Sequence, residues 1–317
     1  MKTTDDRQPT TALQDPERRR LLKCMSWAGA GVLWTMKGGV LSAATLDSAA
    51  AAGADFSFVQ ISDSHVGFHQ EANPNVLATL QEAIAHINNL ATAPAFVLHT
   101  GDVSHLSKPE QFDTAQQAFR SIKTGSMFFT PGEHDTIGDN GAEFFKRFGL
   151  GSSGKGYYSF DYKGTHCLGL VNVLDFKPGG LTSLGNDQLE WVEDDLKKVS
   201  SSTPIVVFAH IPLWTVYEPW GWGTADAPQL YSYLRPFGSV TVLNGHIHQI
   251  QQKIEGNMTF YTARGTAYPQ PQPGAAPSPG PLTVPAGQLG SYLGIREVEH
   301  IGVRGPLAVT DTSLALG

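Results

Sequence analysis

Residues 56–65 read Phe56-Ser57-Phe58-Val59-Gln60-Ile61-Ser62-Asp63-Ser64-His65. The first six are mostly aromatic and β-branched, the composition of a buried strand, and they run straight into an aspartate and a histidine. The same order recurs along the chain. Phe96-Val97-Leu98 leads to Gly101-Asp102, and Met127-Phe128-Phe129 leads to Gly132-Glu133-His134-Asp135. Ile205-Val206-Val207-Phe208 is followed by Ala209-His210, and an apolar run at 239–243 by Asn244-Gly245-His246-Ile247-His248. Between the first three runs lie two helical patterns. Residues 75–90 repeat Val76, Leu77, Leu80, Ile84, Ile87 and Leu90 at helical spacing, and 109–122 place Phe112, Ala115, Phe119 and Ile122 inward. Strand–helix alternation of this kind predicts an α/β fold with parallel strands and right-handed crossovers. Ligands of open α/β sheets collect beyond the carboxyl ends of the strands, so the five polar segments are expected to converge there.

Further strands are expected at 157–162, 166–173, 249–254, 257–261 and 291–299, with a helix near 186–199. Residues 269–285 are crowded with proline and glycine and predict a long loop, either a surface excursion or a flap. No internal repeat or composition break divides residues 51–317, which read as one domain.

With 317 residues, 41% hydrophobic and 16% charged, the chain has enough apolar sequence for a core that needs no disulfides. Residues 1–50 hold seven Lys/Arg and five Asp/Glu, leaving 15 basic and 24 acidic residues in the remainder. A charge of about −9 there argues against a nucleic-acid polymer as partner. Cys24 and Cys167 are the two cysteines. With Cys24 in a removable segment, no internal disulfide is expected.

That segment is residues 1–50. Glu17-Arg18-Arg19-Arg20-Leu21-Leu22-Lys23 precedes a moderately apolar stretch, Met25 to Met36, after which small residues accumulate through Ser42-Ala43-Ala44 and Ser48-Ala49-Ala50. Basic, apolar, small is the layout of a secretory signal. The paired arginines resemble a twin-arginine export signal, which implies the twin-arginine export machinery as partner and a periplasmic or extracellular location. Cleavage is expected near residues 44–51. The alternative is a short uncleaved anchor, but about a dozen apolar residues fall short of the ~20 that span a bilayer. No stable membrane span is expected in the mature form.

The ordered set Asp63-x-His65, Gly101-Asp102, Gly132-Glu133-His134-Asp135, His210 and Gly245-His246-x-His248 resembles the calcineurin-like metallophosphoesterase superfamily over about residues 56–262. The resemblance implies a four-layer α/β/β/α sandwich and a dinuclear centre of transition-metal ions, Fe, Mn or Zn. Carried over residue by residue, Asp63, His65 and His248 would hold one metal, His210 and His246 the other, and Asp102 would bridge both. Imidazole mixed with carboxylate suits such metals, whereas all-oxygen sites favour Mg or Ca. Two cations acidify a water and polarise phosphoryl oxygens for in-line attack on a small phosphodiester or phosphomonoester. His134 would face the substrate as acid or charge stabiliser, and Asp135 would support catalysis by orienting backbone or imidazole behind it.

The sequence departs from the family at Glu133, which stands where an asparagine ligand is usual. Glu133 either ligates the second metal, lowering the net charge of the site by one unit, or turns away or acts as a base. A non-hydrolytic metal-binding or redox protein on the same scaffold is therefore the alternative to the phosphoesterase. A second departure is His105, three residues after Asp102, which either contacts His134 or a metal-bound ligand or is an ordinary loop histidine. His69 has the same ambiguity, while His86, His99, His166 and His300 read as structural. On the substrate side, Trp214, Tyr217, Trp220 and Trp222 form either an aromatic wall or core and oligomer contacts. Arg264 either grips a phosphate or makes a surface salt bridge.

Overall fold

The computed structural model describes residues 32–37, 40–45, 54–149, 155–301 and 307–315. It divides into two compact units, residues 1–52 and 53–317. In the first, β1 (Val32–Lys37) and β2 (Val40–Thr45) pair antiparallel, with Val32 opposite Thr45 and Lys37 opposite Val40. The paired arginines, most of the apolar stretch and most of the expected cleavage region lie outside the described residues. No helix among the described residues is long and apolar enough to cross a membrane.

The second unit contains two sheets. The first is built from β3 (Ala54–Ile61), β4 (Val97–His99) and β5 (Met127–Phe129), which lie parallel in that order. The intervening helices are α1 (Val76–Asn88) and α2 (Pro109–Phe119), and α3 (Ala142–Phe148) follows β5. The second sheet takes β6 (Tyr158–Tyr162), β7 (Thr165–Gly169), β8 (Ile205–Phe208), β9 (Val240–Asn244), β10 (Gln251–Glu255) and β11 (Met258–Thr262), in the order β10-β11-β9-β8-β7-β6. Helices α4 (Asn186–Leu196) and α5 (Ala227–Leu234) belong to this half. After α6 (Leu289–Tyr292), the chain returns to the first sheet. There β12 (Gly294–Ile301) pairs antiparallel with β3 and with the final strand, β13 (Leu307–Ser313).

The period-2 alternation of β3 explains the layering. Phe56 and Phe58 face the other sheet, in a cluster with Phe96, Leu98, Cys167, Val206, Phe208 and Leu243. Val59 and Ile61 point the opposite way, against Leu80 and Ile84 of α1 and Phe112 and Ala115 of α2. The second sheet does the same, with Leu168 and Val207 packed on Leu189 and Val192 of α4 and Leu230 and Leu234 of α5. The result is the α/β/β/α sandwich that the resemblance implied. Each fully buried Phe, Val, Ile or Leu contributes about 1.5–3 kcal/mol, so three apolar layers suffice without a disulfide.

Most expected elements fall within a few residues of their observed bounds. The exception at 166–173 arises because Leu170 is the last residue there to bond β8, through Phe208, and Val171 instead pairs with the side chain of Gln188. Helices α3 and α5, of seven and eight residues, are too short for their periodicity to stand out. Strand β13 follows Gly305-Pro306 and was not expected.

The two sheets are also tied by polar contacts just behind the site. Gln60 donates to Thr100 Oγ1 (3.0 Å) and to the Asn244 carbonyl (3.1 Å). Arg296, fully buried on β12, pairs with Asp311 at 2.8 Å and donates to Gln60 and to the Thr262 carbonyl.

Candidate metal centre

The expected ligands leave their strands with backbone angles that side chains rarely adopt. Asp63, His65, Asp102, His246 and His248 have φ of 54°, 40°, 54°, 69° and 52°. They make up five of the eight non-glycine residues with positive φ among those described. Such strain costs on the order of 1–3 kcal/mol per residue and persists where the surroundings enforce it. Here it turns side chains from successive loops toward one point. The motif glycines have a matching cause. A Cβ on Gly101 (φ 95°) would run into the His210 ring, and one on Gly132 would overlap the Asp102 carboxylate.

Two lobes result. In one, the ligating atoms of Asp63, His65 and His248 lie within 4.8 Å of one another; in the other, those of Glu133, His210 and His246 do. Asp102 sits between them, its Oδ2 3.4 Å from His65 Nε2 and 3.3 Å from His210 Nε2. The sequence-predicted ligands are thus brought together. Glu133, the departure from the family pattern, points inward: Oε2 lies 2.9 Å from His210 Nε2 and Oε1 3.0 Å from His246 Nδ1.

Those two approaches are short but lack hydrogen-bond alignment. Glu133 Oε2, His210 Nε2 and His246 Nδ1 are buried atoms without a hydrogen-bond partner among the described residues. Leaving buried polar atoms unmatched costs about 1–3 kcal/mol each. Three such atoms on adjacent loops are accounted for by a cation, and the imidazole–carboxylate donor set fits a transition metal. No Lys or Arg pairs with the cluster carboxylates among the described residues.

Electrostatics in the metal-free chain agree. Burial disfavours charge on Asp63, yet His248 and His210 outweigh it and lower its pKa to about 2. Burial also opposes protonation of His210, but Asp102 and Glu133 raise its pKa well above the ordinary histidine value. Glu133, despite burial, is held well below the usual carboxylate range by His246 and His210.

The surrounding groups fix ring orientation. His210 Nδ1 is 2.7 Å from the Thr100 carbonyl, and His248 Nδ1 meets the Tyr268 carbonyl, which leaves each Nε2 lone pair for the cluster. Asp63 accepts from the His246 N–H, and Asp102 Oδ1 from the His134 N–H at 2.9 Å. His134 Nδ1 donates to the His105 carbonyl at 2.7 Å. The His134 ring lies edge-on to His65, with centroids 4.7 Å apart.

The structure distinguishes the alternatives at three further residues. Asp135 does not reach the reacting region. It is fully buried and accepts from Val103 N, Ser104 N, Ser104 Oγ and Gly132 N at 2.7–3.1 Å, locking two site loops together. Trp214 is a core residue against Phe260, on the helix side of the second sheet. The aromatic ring beside the site is Trp222, 6.3 Å from His246 between centroids and packed with Trp220 and Ile247. Arg264 donates to the Ser291 carbonyl at 2.9 Å, and among the described residues no ion pair joins it to the cluster carboxylates.

His99 and His166 are structural as expected, the first bonded to Ser64 Oγ and the second to Asp161 and Asp195. The proline-rich loop docks beside the site. Gln270, at its start, donates to the His246 carbonyl, and Ala276 packs near Trp220 and Trp222. Tyr268, just before it, stacks on His65 (4.8 Å, 28°). No motif marks Tyr268, and main-chain acceptors such as Thr100 O carry no residue signature. A shallow depression of about 470 Å³, lined by Phe68, His69, Asn75, Lys108 and Gln111 among others, contains none of the candidate ligands.

Residues 56–250 match the family model described as calcineurin-like phosphoesterase. The chain belongs to that family. This family member is therefore a hydrolase of the metal-dependent phosphoric ester class. Its similarity to individual relatives is low. It is 22% identical over 225 residues to the "Probable glycerophosphodiester phosphodiesterase GpdQ" of Arcobacter nitrofigilis, covering 66% of this chain and 78% of that protein. To a Danio rerio protein named serine/threonine-protein phosphatase CPPED1 it is 26% identical over 180 residues, 50% and 57% of the two chains. Among solved structures, the yellow lupin (Lupinus luteus) purple acid phosphatase PPD1 superposes with TM-score 0.61 at 14% identity, covering 83% of this chain. The phosphoesterase chain spans about half of that lupin chain, 52%. A Danio rerio dimetal phosphatase gives TM-score 0.56 at 12% identity, covering 81% of this chain and 99% of its own.

Proposed function

We propose that this protein hydrolyses a small phosphodiester or phosphomonoester at a dinuclear transition-metal centre. Asp63, His65 and His248 would hold one ion, and Glu133, His210 and His246 the other, with the Asp102 carboxylate standing between the two groups. The observation that carries this is the convergence of seven imidazole and carboxylate side chains with three buried, partnerless ligating atoms among them. When bound, two such ions supply an acidified water and polarise phosphoryl oxygens.

The chain's own residues do the rest. The main-chain acceptors behind His210 and His248 hold those imidazoles with Nε2 toward the ions. His134, with Nδ1 engaged by the His105 carbonyl, keeps Nε2 to hold or give a proton at the leaving oxygen. Asp102 and Glu133 favour its protonated form against the effect of burial. The acidic balance of residues 51–317, 24 Asp/Glu against 15 Lys/Arg, supports a small substrate rather than a nucleic-acid polymer. The N-terminal fifty residues act, in this reading, as a cleaved twin-arginine export signal that delivers the folded enzyme to the periplasm or beyond.

The test is elemental analysis of the purified protein together with turnover of bis(p-nitrophenyl) phosphate and p-nitrophenyl phosphate in Mn²⁺ or Zn²⁺. Close to two ions per chain and turnover of either ester are expected. Two ions without turnover would favour the non-hydrolytic metal protein, whose specific support is the Glu133 carboxylate lying on both His210 and His246. Replacing Arg18 and Arg19 by lysine should leave uncleaved protein in the cytoplasm; unchanged export would refute the signal assignment.

A further inference from the structure

Of the imidazoles that turn Nε2 toward the cluster, His210 and His248 are anchored at Nδ1 by main-chain carbonyls. His65 is different. Its Nε2 lies 3.4 Å from Asp102 Oδ2 and 3.3 Å from His248 Nε2, while Nδ1 faces His105 Nδ1 at 3.5 Å, the long end of a hydrogen bond. For His65 to offer an Nε2 lone pair to a cation, its proton must sit on Nδ1, and that N–H needs an acceptor. The ring nitrogen of His105 is the acceptor within reach. The same residue also touches His134 twice: its carbonyl accepts from His134 Nδ1, and its ring stacks on that ring at 4.9 Å and 18°. Phe68 closes the other side of His105, edge-on at 5.2 Å.

We propose that His105 is a positioning residue for the first metal lobe, its side chain fixing the tautomer and orientation of His65. This rests on the dinuclear reading of the cluster. It makes His65 the ligand whose support a side-chain substitution can remove, because the supports of His210 and His248 are backbone atoms. His105 stands partly exposed on a loop, so its replacement leaves the core intact.

Two variants separate acceptor from bulk. His105→Phe keeps the stacked ring and the main-chain carbonyl but deletes the acceptor; His105→Gln keeps an acceptor oxygen. Zn²⁺ affinities of the full chain are measured by competition with a chromophoric chelator. Loss of an outer partner of this kind costs about 10–100-fold in metal affinity. His105→Phe is expected to weaken one of the two zinc affinities by that factor and leave the other unchanged, with His105→Gln near wild type. Wild-type affinities in His105→Phe, or equal losses in both variants, would overturn the proposal. Nitrogen-15 NMR of zinc-loaded wild type gives a check independent of the variants. His65 should carry its proton on Nδ1, and a proton on Nε2 would refute the assignment. Wild-type stoichiometry reports separately on the dinuclear reading, since fewer than two zinc ions overturns that reading whatever the His105 variants do.

Discussion

Removing the Glu133 charge tests the electrostatics of the metal-free chain. Glu133 Oε2 lies 2.9 Å from His210 Nε2, and its nearest ligating oxygen lies within 4.8 Å of one on Asp102. Asp102 and Glu133 raise the pKa of His210 well above the ordinary histidine value against the opposing effect of burial. Burial opposes the charge on Glu133 but His246 and His210 outweigh it, so Glu133→Gln, which preserves volume, should cost about 2 kcal/mol, the middle of the range for a buried polar group that loses its partner. For a domain of this size the melting temperature would fall by roughly 4–8 °C.

The pH dependence follows from the two shifts. The raised pKa of His210 makes its contribution complete below the ordinary histidine value and lost as pH rises through the raised one. The lowered pKa of Glu133 makes its contribution present above the ordinary carboxylate value and lost as pH falls toward the lowered one. The wild-type advantage should thus be greatest at weakly acidic pH, between the ordinary carboxylate and histidine values, and shrink on both sides. Calorimetry of chelator-treated protein from pH 4 to 9 would measure it. A metal-free Glu133→Gln variant that melts at or above the wild-type temperature at pH 6 would refute the charge arrangement. In the loaded protein the same substitution should move stoichiometry from two ions toward one.

Other substitutions have separable signatures. His134→Ala should lower kcat by about 10²–10⁴ with metal content unchanged, as expected for a group that handles a proton rather than a cation; loss of metal instead would show it to be a ligand. Asp135→Asn places an amide among four donors and should cost about 1–3 kcal/mol in thermal stability, and a variant as stable as wild type would contradict its bracing of the two loops. Trp214→Ala should cost about 3–5 kcal/mol and leave KM unchanged, so a KM effect without destabilisation would return Trp214 to the substrate side.

The strands and helices of the first half were legible because their apolar periodicities are strong and each ends in a polar motif. The ligand set was legible for the same reason, with Asp63-x-His65, Gly101-Asp102 and Gly245-His246-x-His248 keeping their order and spacing. The place of Trp214, wall or core, stayed open because proximity in sequence to His210 says nothing about which face of a sheet a side chain takes. That Asp135 orients backbone rather than an imidazole was not legible, because a carboxylate beside His134 looks the same in sequence whichever donors the fold brings to it.

Sequence alone determined the α/β character, the family resemblance and the candidate ligands, because strand alternation and residue chemistry are local properties. Only the tertiary structure decided that Glu133 turns onto His210 and His246, that Trp222 rather than Trp214 stands beside the cluster, and that His105 backs His65. Those facts depend on where loops from two sheets meet, and on backbone carbonyls and positive-φ turns that no residue type encodes.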